Sequence, residues 1–240
     1  MFLKKIISTI LILTTLFITF PSENVIANEI DQDTEILSTT NSSISATDYW
    51  YAIENGVKGQ IWITKDGTHY GINHGHAAIL YCYSLYYISF VEHRGAGQST
   101  SAGLGLSGFT EWDNFDLDNI SDPPWYNVTS LRTYNVSTPV SEAEGLPYDV
   151  GTMISAADYA ACYLIGKEYA VLPLKGSSNY VNCATLVYQA YANANVFQGC
   201  SIQLGNSLSP TVIPKDLVED TSLVLCCSAN WDGDSHTWDS

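Results

Sequence analysis

Apolar residues in the stretch 177–194, SSNYVNCATLVYQAYANA, recur at helical spacing: from Cys183 they fall at Leu186, Val187, Ala190 and Tyr191, and Ala194 continues the stripe. This periodicity predicts a helix capped by Asn182, with Cys183 on the buried side of its first turn. Upstream, GQIWIT (59–64) reads as a strand closed by the turn Lys65-Asp66-Gly67. The apolar run 76–83 is long enough for a central strand and is followed almost at once by a second, 86–93, which predicts a hairpin. In such a hairpin Glu92, at the far end, returns close to His76, at the start.

Further elements follow in turn. Residues 49–55 read as a short docking turn and 131–136 as a strand, while Ser155-Ala156-Ala157-Asp158 resembles a capping box opening a helix to about Tyr169. Residues 212–217 suggest a single helical turn, and 222–227 a last strand. Residues 95–108 are rich in Gly, Ser and Ala, and 112–125 are irregular, so together they form a long loop without periodicity that can overhang a cleft. The pattern is that of an α+β domain over residues 49–228, an antiparallel sheet packed against helices, with an acidic tail at 229–240.

The first 27 residues stand apart. Lys4 and Lys5 precede an apolar run at 6–20 and the small-residue end Val25-Ile26-Ala27, the pattern of an export signal; the run is shorter than the ~20 residues of a membrane span. The polar stretch 28–48 reads as a flexible leader, and the mature form is expected to be secreted, without a membrane span, and monomeric.

Without Lys4, Lys5 and Glu23, the chain's 9 Lys/Arg and 25 Asp/Glu become 7 and 24, a net charge of −17. Such a surface repels phosphate backbones and argues against nucleic acid. Six cysteines in an exported chain invite a disulfide reading, but their spacing is irregular and Cys226 and Cys227 are adjacent on a strand, so no obligatory framework is expected.

Chemistry enters through Cys183. The unpaired N–H groups and positive dipole end of a helix favour a thiolate there, although a cysteine on an apolar stripe is commonly packing. A nucleophilic role needs a base, and two histidines offer one: His76, and His74, which would share its face if both lie on one strand. The residue orienting the base is Glu92 or, if a bulge intervenes, His93. The His74–His76 pair also has a spacing able to hold Zn²⁺ with Cys183 or a carboxylate, but no further ligand cluster is evident, and neither metal nor cofactor is expected.

The runs G-Q-I-W-I-T (59–64), H-G-H-A-A-I-L (74–80), F-V-E-H (90–93), I-G-K-E-Y (165–169), N-C-A-T-L-V-Y-Q-A-Y (182–191) and I-P-K-D-L (213–217) together resemble the circularly permuted, papain-like branch of the NlpC-type cell-wall peptidases, the YiiX-like group. In that group too the histidine strand precedes the cysteine helix. The resemblance extends over roughly residues 49–227 and implies a permuted papain-like fold, with Cys183 as nucleophile, His76 as base and Glu92 as the residue that orients it. Ala184 and Gln60 depart from it, standing where the family commonly has Ser and Asp.

The resemblance thus implies a thiol hydrolase that cleaves an amide bond through an acyl-enzyme, with peptidoglycan stem peptides as the expected substrate. Related lecithin:retinol acyltransferase-like proteins use a similar arrangement on lipids, so ester, thioester or lipid acyl transfer is the neighbouring alternative. A non-catalytic surface module that binds a wall fragment in the same cleft is the alternative from a different class.

Overall fold

The computed structural model describes residues 43–66, 68–69, 72–73, 75–84, 87–93, 106–113 and 124–231. All of them belong to one compact unit, Thr40–Ser240. The expected export signal and most of the leader lie outside the described residues, as do His74 and most of the Gly-rich loop.

The chain is mixed α+β. Helix α1 (Ala46–Glu54) is followed by strands β1 (Ile61–Thr64), β2 (Thr68–His69), β3 (Ile72–Asn73), β4 (His76–Ser84), β5 (Tyr87–Glu92), β6 (Gly108–Asp113) and β7 (Leu131–Val136). Helices α2 (Pro139–Ala143) and α3 (Val150–Tyr159) come next, then the short strands β8 (Glu168–Tyr169) and β9 (Tyr180–Val181), α4 (Cys183–Ala192), α5 (Pro214–Val218) and β10 (Leu223–Ala229). Six strands form one sheet in the order β10-β7-β1-β4-β5-β6, every neighbouring pair antiparallel.

Both faces of this sheet are covered, which explains why β1 is buried at all four positions rather than alternating. Ile61, Ile63, Ala77, Ile79, Val91, Tyr134 and Val136 pack on α3 and α4. Trp62, Ala78, Leu80, Ile88, Phe90 and Leu131 point the other way, against Tyr49, Ala52 and Ile53 of α1 and against Trp125. The result is a helix–sheet–helix sandwich whose middle layer carries the strand ends of interest.

Several boundaries differ from the sequence reading. The domain begins before residue 49: Ser45 caps α1, accepting from Asp48 N–H, and Ile44 is buried, so the leader ends earlier than expected. At the other end Trp231 is buried under the cations of Lys65 and Arg132, so packing reaches two residues beyond β10, and residues 232–240 lie outside the described residues. Ser155 does not open a helix; it lies inside α3 and donates to Phe197 O at 2.6 Å. Asp149 is the cap instead, accepting from Thr152 N–H at 2.9 Å. The helix does not run to Tyr169 either, because α3 passes into a π-helical turn, Ala160–Leu164. Residues 108–113, expected to be loop and irregular chain, form the edge strand β6.

Cys226 and Cys227 sit at a bulge in β10, between Leu225 and Cys227, and all six cysteines are free thiols.

Helix α4 is buried on nearly its whole circumference, not on one stripe. Its second side is covered by the loop after β8, tied down where Gln189 Nε2 donates to Lys175 O and Ser177 O. On the sheet side, Tyr191 Oη donates to Gly59 O at 2.5 Å. Gly59 has φ 93°, and a Cβ there would lie 2.0 Å from Met153 O, so β1, α3 and α4 meet at a point that admits only glycine. Gly59→Ala is therefore expected to destabilise the domain by ~3 kcal/mol or more, read as a lower urea midpoint. A loss below about 1 kcal/mol would show that α3 can withdraw without cost.

Candidate active site

Asn182 places Cys183. Its Oδ1 accepts from Thr185 N–H at 2.6 Å, closing the first turn of α4, while its Nδ2 donates to Val171 O at 3.1 Å and Val212 O at 3.2 Å. One cap thus fixes the helix start and both loops flanking it. Cys183 is 6% exposed at the first position of the helix.

His76 opens β4, opposite Thr64 of β1. Gly75 before it has a left-handed backbone, φ 70°. His74, the other candidate base, lies outside the described residues.

The hairpin returns as the pattern requires. Glu92 pairs with Ala78, two residues from His76 on the same face of the sheet, and its Oε2 meets His76 Nε2 at 2.8 Å. On its other side His76 lies close enough to Cys183 for the two side chains to interact. The structure thus brings Cys183, His76 and Glu92 together. His93, the other candidate orienter, is buried one residue further on, its ring 5.0 Å from that of Tyr169.

Glu92 is 3% exposed. An ionised carboxylate so deeply buried needs donors, and it has at least two besides His76. Thr110 Oγ1 donates to Oε1 at 2.5 Å, and Trp125 Nε1 to Oε2 at 3.1 Å. Neither Thr110 nor Trp125 was identified from the sequence. Thr110 stands on a strand that short-range pattern did not reveal, and the indole approaches from a turn 33 residues beyond Glu92.

The electrostatics follow from these contacts. Burial disfavours the charged form of His76, but its hydrogen bonds to Cys183 and Glu92, and the charge of both partners, outweigh that and hold its pKa up to about 10. The imidazole therefore carries its proton at neutral pH, poised as an acid beside the sulfur. Its side chain remains 22% exposed, so the site is reachable from solvent.

Gln60 and Ala184 both lie in the packed interior. Gln60 bridges Asn135 and Trp62, donating from Nε2 to Asn135 Oδ1 at 3.2 Å and accepting from Trp62 Nε1 at 2.9 Å. Ala184 is fully buried in the core under α4. Among the described residues no three metal-ligating side chains cluster, and His76 Nε2 is engaged by Glu92.

No family model, curated protein or solved structure matches this chain.

The raised His76 value has a testable sign. A histidine whose folded pKa exceeds its unfolded value of about 6.5 stabilises the fold fully below that pH, and the contribution is lost as pH rises through about 10. The C2–H resonance of His76 is expected to titrate near pH 10, and in Glu92→Gln to move down by more than about one unit. An unshifted midpoint in that variant would remove Glu92 from the site's electrostatics.

Proposed function

We propose that the chain is an exported thiol hydrolase of permuted papain-like fold, cleaving an amide bond through an acyl-enzyme. The observation that carries this reading is the grouping of Cys183, His76 and Glu92, in which a thiol at a helix start meets an imidazole whose Nε2 is held by a buried carboxylate. The order of elements, histidine strand before cysteine helix, supports the permuted papain-like assignment.

In this reading His76 already carries its proton, and the Cys183 thiolate beside it attacks the carbonyl carbon, forming a C–S bond as the carbonyl π bond opens to an oxyanion. The developing oxyanion is met by the Cys183 N–H, which has no acceptor within the helix because it belongs to the first turn. The His76 imidazolium then protonates the leaving amine as the C–N bond breaks, leaving a thioester. Neutral His76 next takes a proton from water, hydroxide attacks the thioester, the acid product departs, and the sulfur leaves as a thiolate beside protonated His76. Glu92 stays ionised throughout and keeps Nε2–H aimed at itself, so that Nδ1 faces the sulfur.

The substrate class rests on the resemblance to NlpC-type enzymes and on the export pattern of residues 1–27: a peptidoglycan stem peptide outside the membrane, acted on by a monomer. Among the described residues no helix is long and apolar enough to cross a membrane. On purified cell wall, Cys183→Ala is expected to lower peptide release at least ~10³-fold and Glu92→Gln about 10²-fold. Undiminished release by Cys183→Ala would end the thiol mechanism.

A further inference from the structure

The chemical steps above give no role to Trp125, yet it touches both partners of the charge-carrying hydrogen bond. Its indole lies over the imidazole of His76, ring centroids 5.3 Å apart and planes inclined by 27°. Its Nε1 donates to the same Glu92 oxygen that meets His76. Its backbone has φ 68°, a left-handed conformation that costs a bulky residue ~1–3 kcal/mol and persists only where the surroundings impose it.

Those surroundings include α1. Tyr49 Oη donates to Pro124 O at 3.0 Å, just before Trp125, and Ile44 N–H donates to Val128 O at 2.9 Å, just after it. Phe90 and Trp62 close around the indole, at ring-centroid distances of 5.8 and 6.1 Å. The N-terminal segment thus braces the turn 124–128 against the sheet.

We propose that Trp125 is a positioning residue of the hydrolase: it fixes the plane of the His76 ring relative to Cys183 and keeps water from the His76–Glu92 bond, with Tyr49 of α1 as its brace. The proposal rests on the thiol-hydrolase reading. A cation held against an aromatic face, with a charged hydrogen bond screened from water, is stronger and less free to rotate than the same pair in solvent. Ordinary core packing requires neither an N–H aimed at the carboxylate nor a left-handed backbone.

The test compares the wild type with Trp125→Phe, which keeps a stacked ring but no donor, Trp125→Leu, which keeps neither, and Tyr49→Phe, which loosens only the brace. Two quantities are measured on the folded mature chain. One is the iodoacetamide alkylation rate of Cys183 at pH 6 and pH 9, by peptide mapping, with exposed Cys82 as internal reference. The other is the exchange of the His76 Nε2–H proton with water, by NMR. Among the described residues, the titratable groups facing His76 are Glu92 and Cys183.

The expected result is a fall in the Cys183 rate at pH 6 of about ten-fold in Trp125→Leu and about three-fold in Trp125→Phe and Tyr49→Phe, with smaller changes at pH 9 and none at Cys82. The Nε2–H resonance, slow to exchange in the wild type, is expected to broaden in the same order. If all variants keep the wild-type rate ratio and a slowly exchanging Nε2–H, even at lower stability, Trp125 is packing and the proposal is overturned. If wild-type Cys183 reacts no faster than Cys82, the hydrolase reading fails by itself. The NMR arm then still decides for Trp125, since loss of protection supports its hold on the pair and retained protection overturns it.

Discussion

The buried carboxylate of Glu92 is the constraint on which the rest of the site depends. A charge 3% exposed to solvent is tolerable only with donors in place, and these come from three separate parts of the chain: His76 on β4, Thr110 on β6 and Trp125 on the turn before β7. To bring them to one point, β4, β5 and β6 must hold their register, since a slip of one residue would turn Glu92 to the opposite face. The turn at Trp125 must accept a left-handed backbone, and α1 must be docked to hold it. The fold and the imidazole's orientation are thus specified by the same contacts.

On the other side of the imidazole, α4 supplies the sulfur under a comparable constraint. Asn182 serves as helix cap and as donor to two loop carbonyls, so the start of α4 cannot move without breaking contacts to residues 171 and 212. Tyr191, near the other end, is tied to Gly59 beside β1. The helix is therefore clamped at both ends against a sheet whose neighbouring strand begins with His76. This rigidity suits the proposed site, whose thiol and imidazole come from distant parts of the sequence.

How much of this was legible in the sequence depended on range. The Asn182 cap and the helical spacing of α4 are local signals, and they read correctly, although burial on all sides rather than on one stripe was set by the loop that covers the helix. The hairpin that sets Glu92 beside His76 also read correctly, because a short connection and strand alternation fix that register. Signals failed where tertiary packing decides. Helix α1 is short, and its preceding residues look like leader, but Tyr49, Ala52 and Ile53 find a sheet face to cover. In β6, GFTEWD shows little of the apolar character expected of a strand, because an edge strand pairs on one side only. Ser155 imitated a cap, yet Asp149 lay six residues earlier with Thr138 and Thr152 to hold its carboxylate. Trp125 and Thr110 left no local mark, since what selects them is a carboxylate far away in the chain.

The central claim is that Cys183 forms a covalent bond to the acyl group of its substrate. Its most direct test is mass spectrometry of protein quenched in acid during reaction with soluble stem-peptide fragments. The account predicts a substrate-derived mass on the Cys183 peptide, removed by hydroxylamine as a thioester would be. Product release with no adduct on that peptide, continuing after Cys183 has been capped, would contradict it.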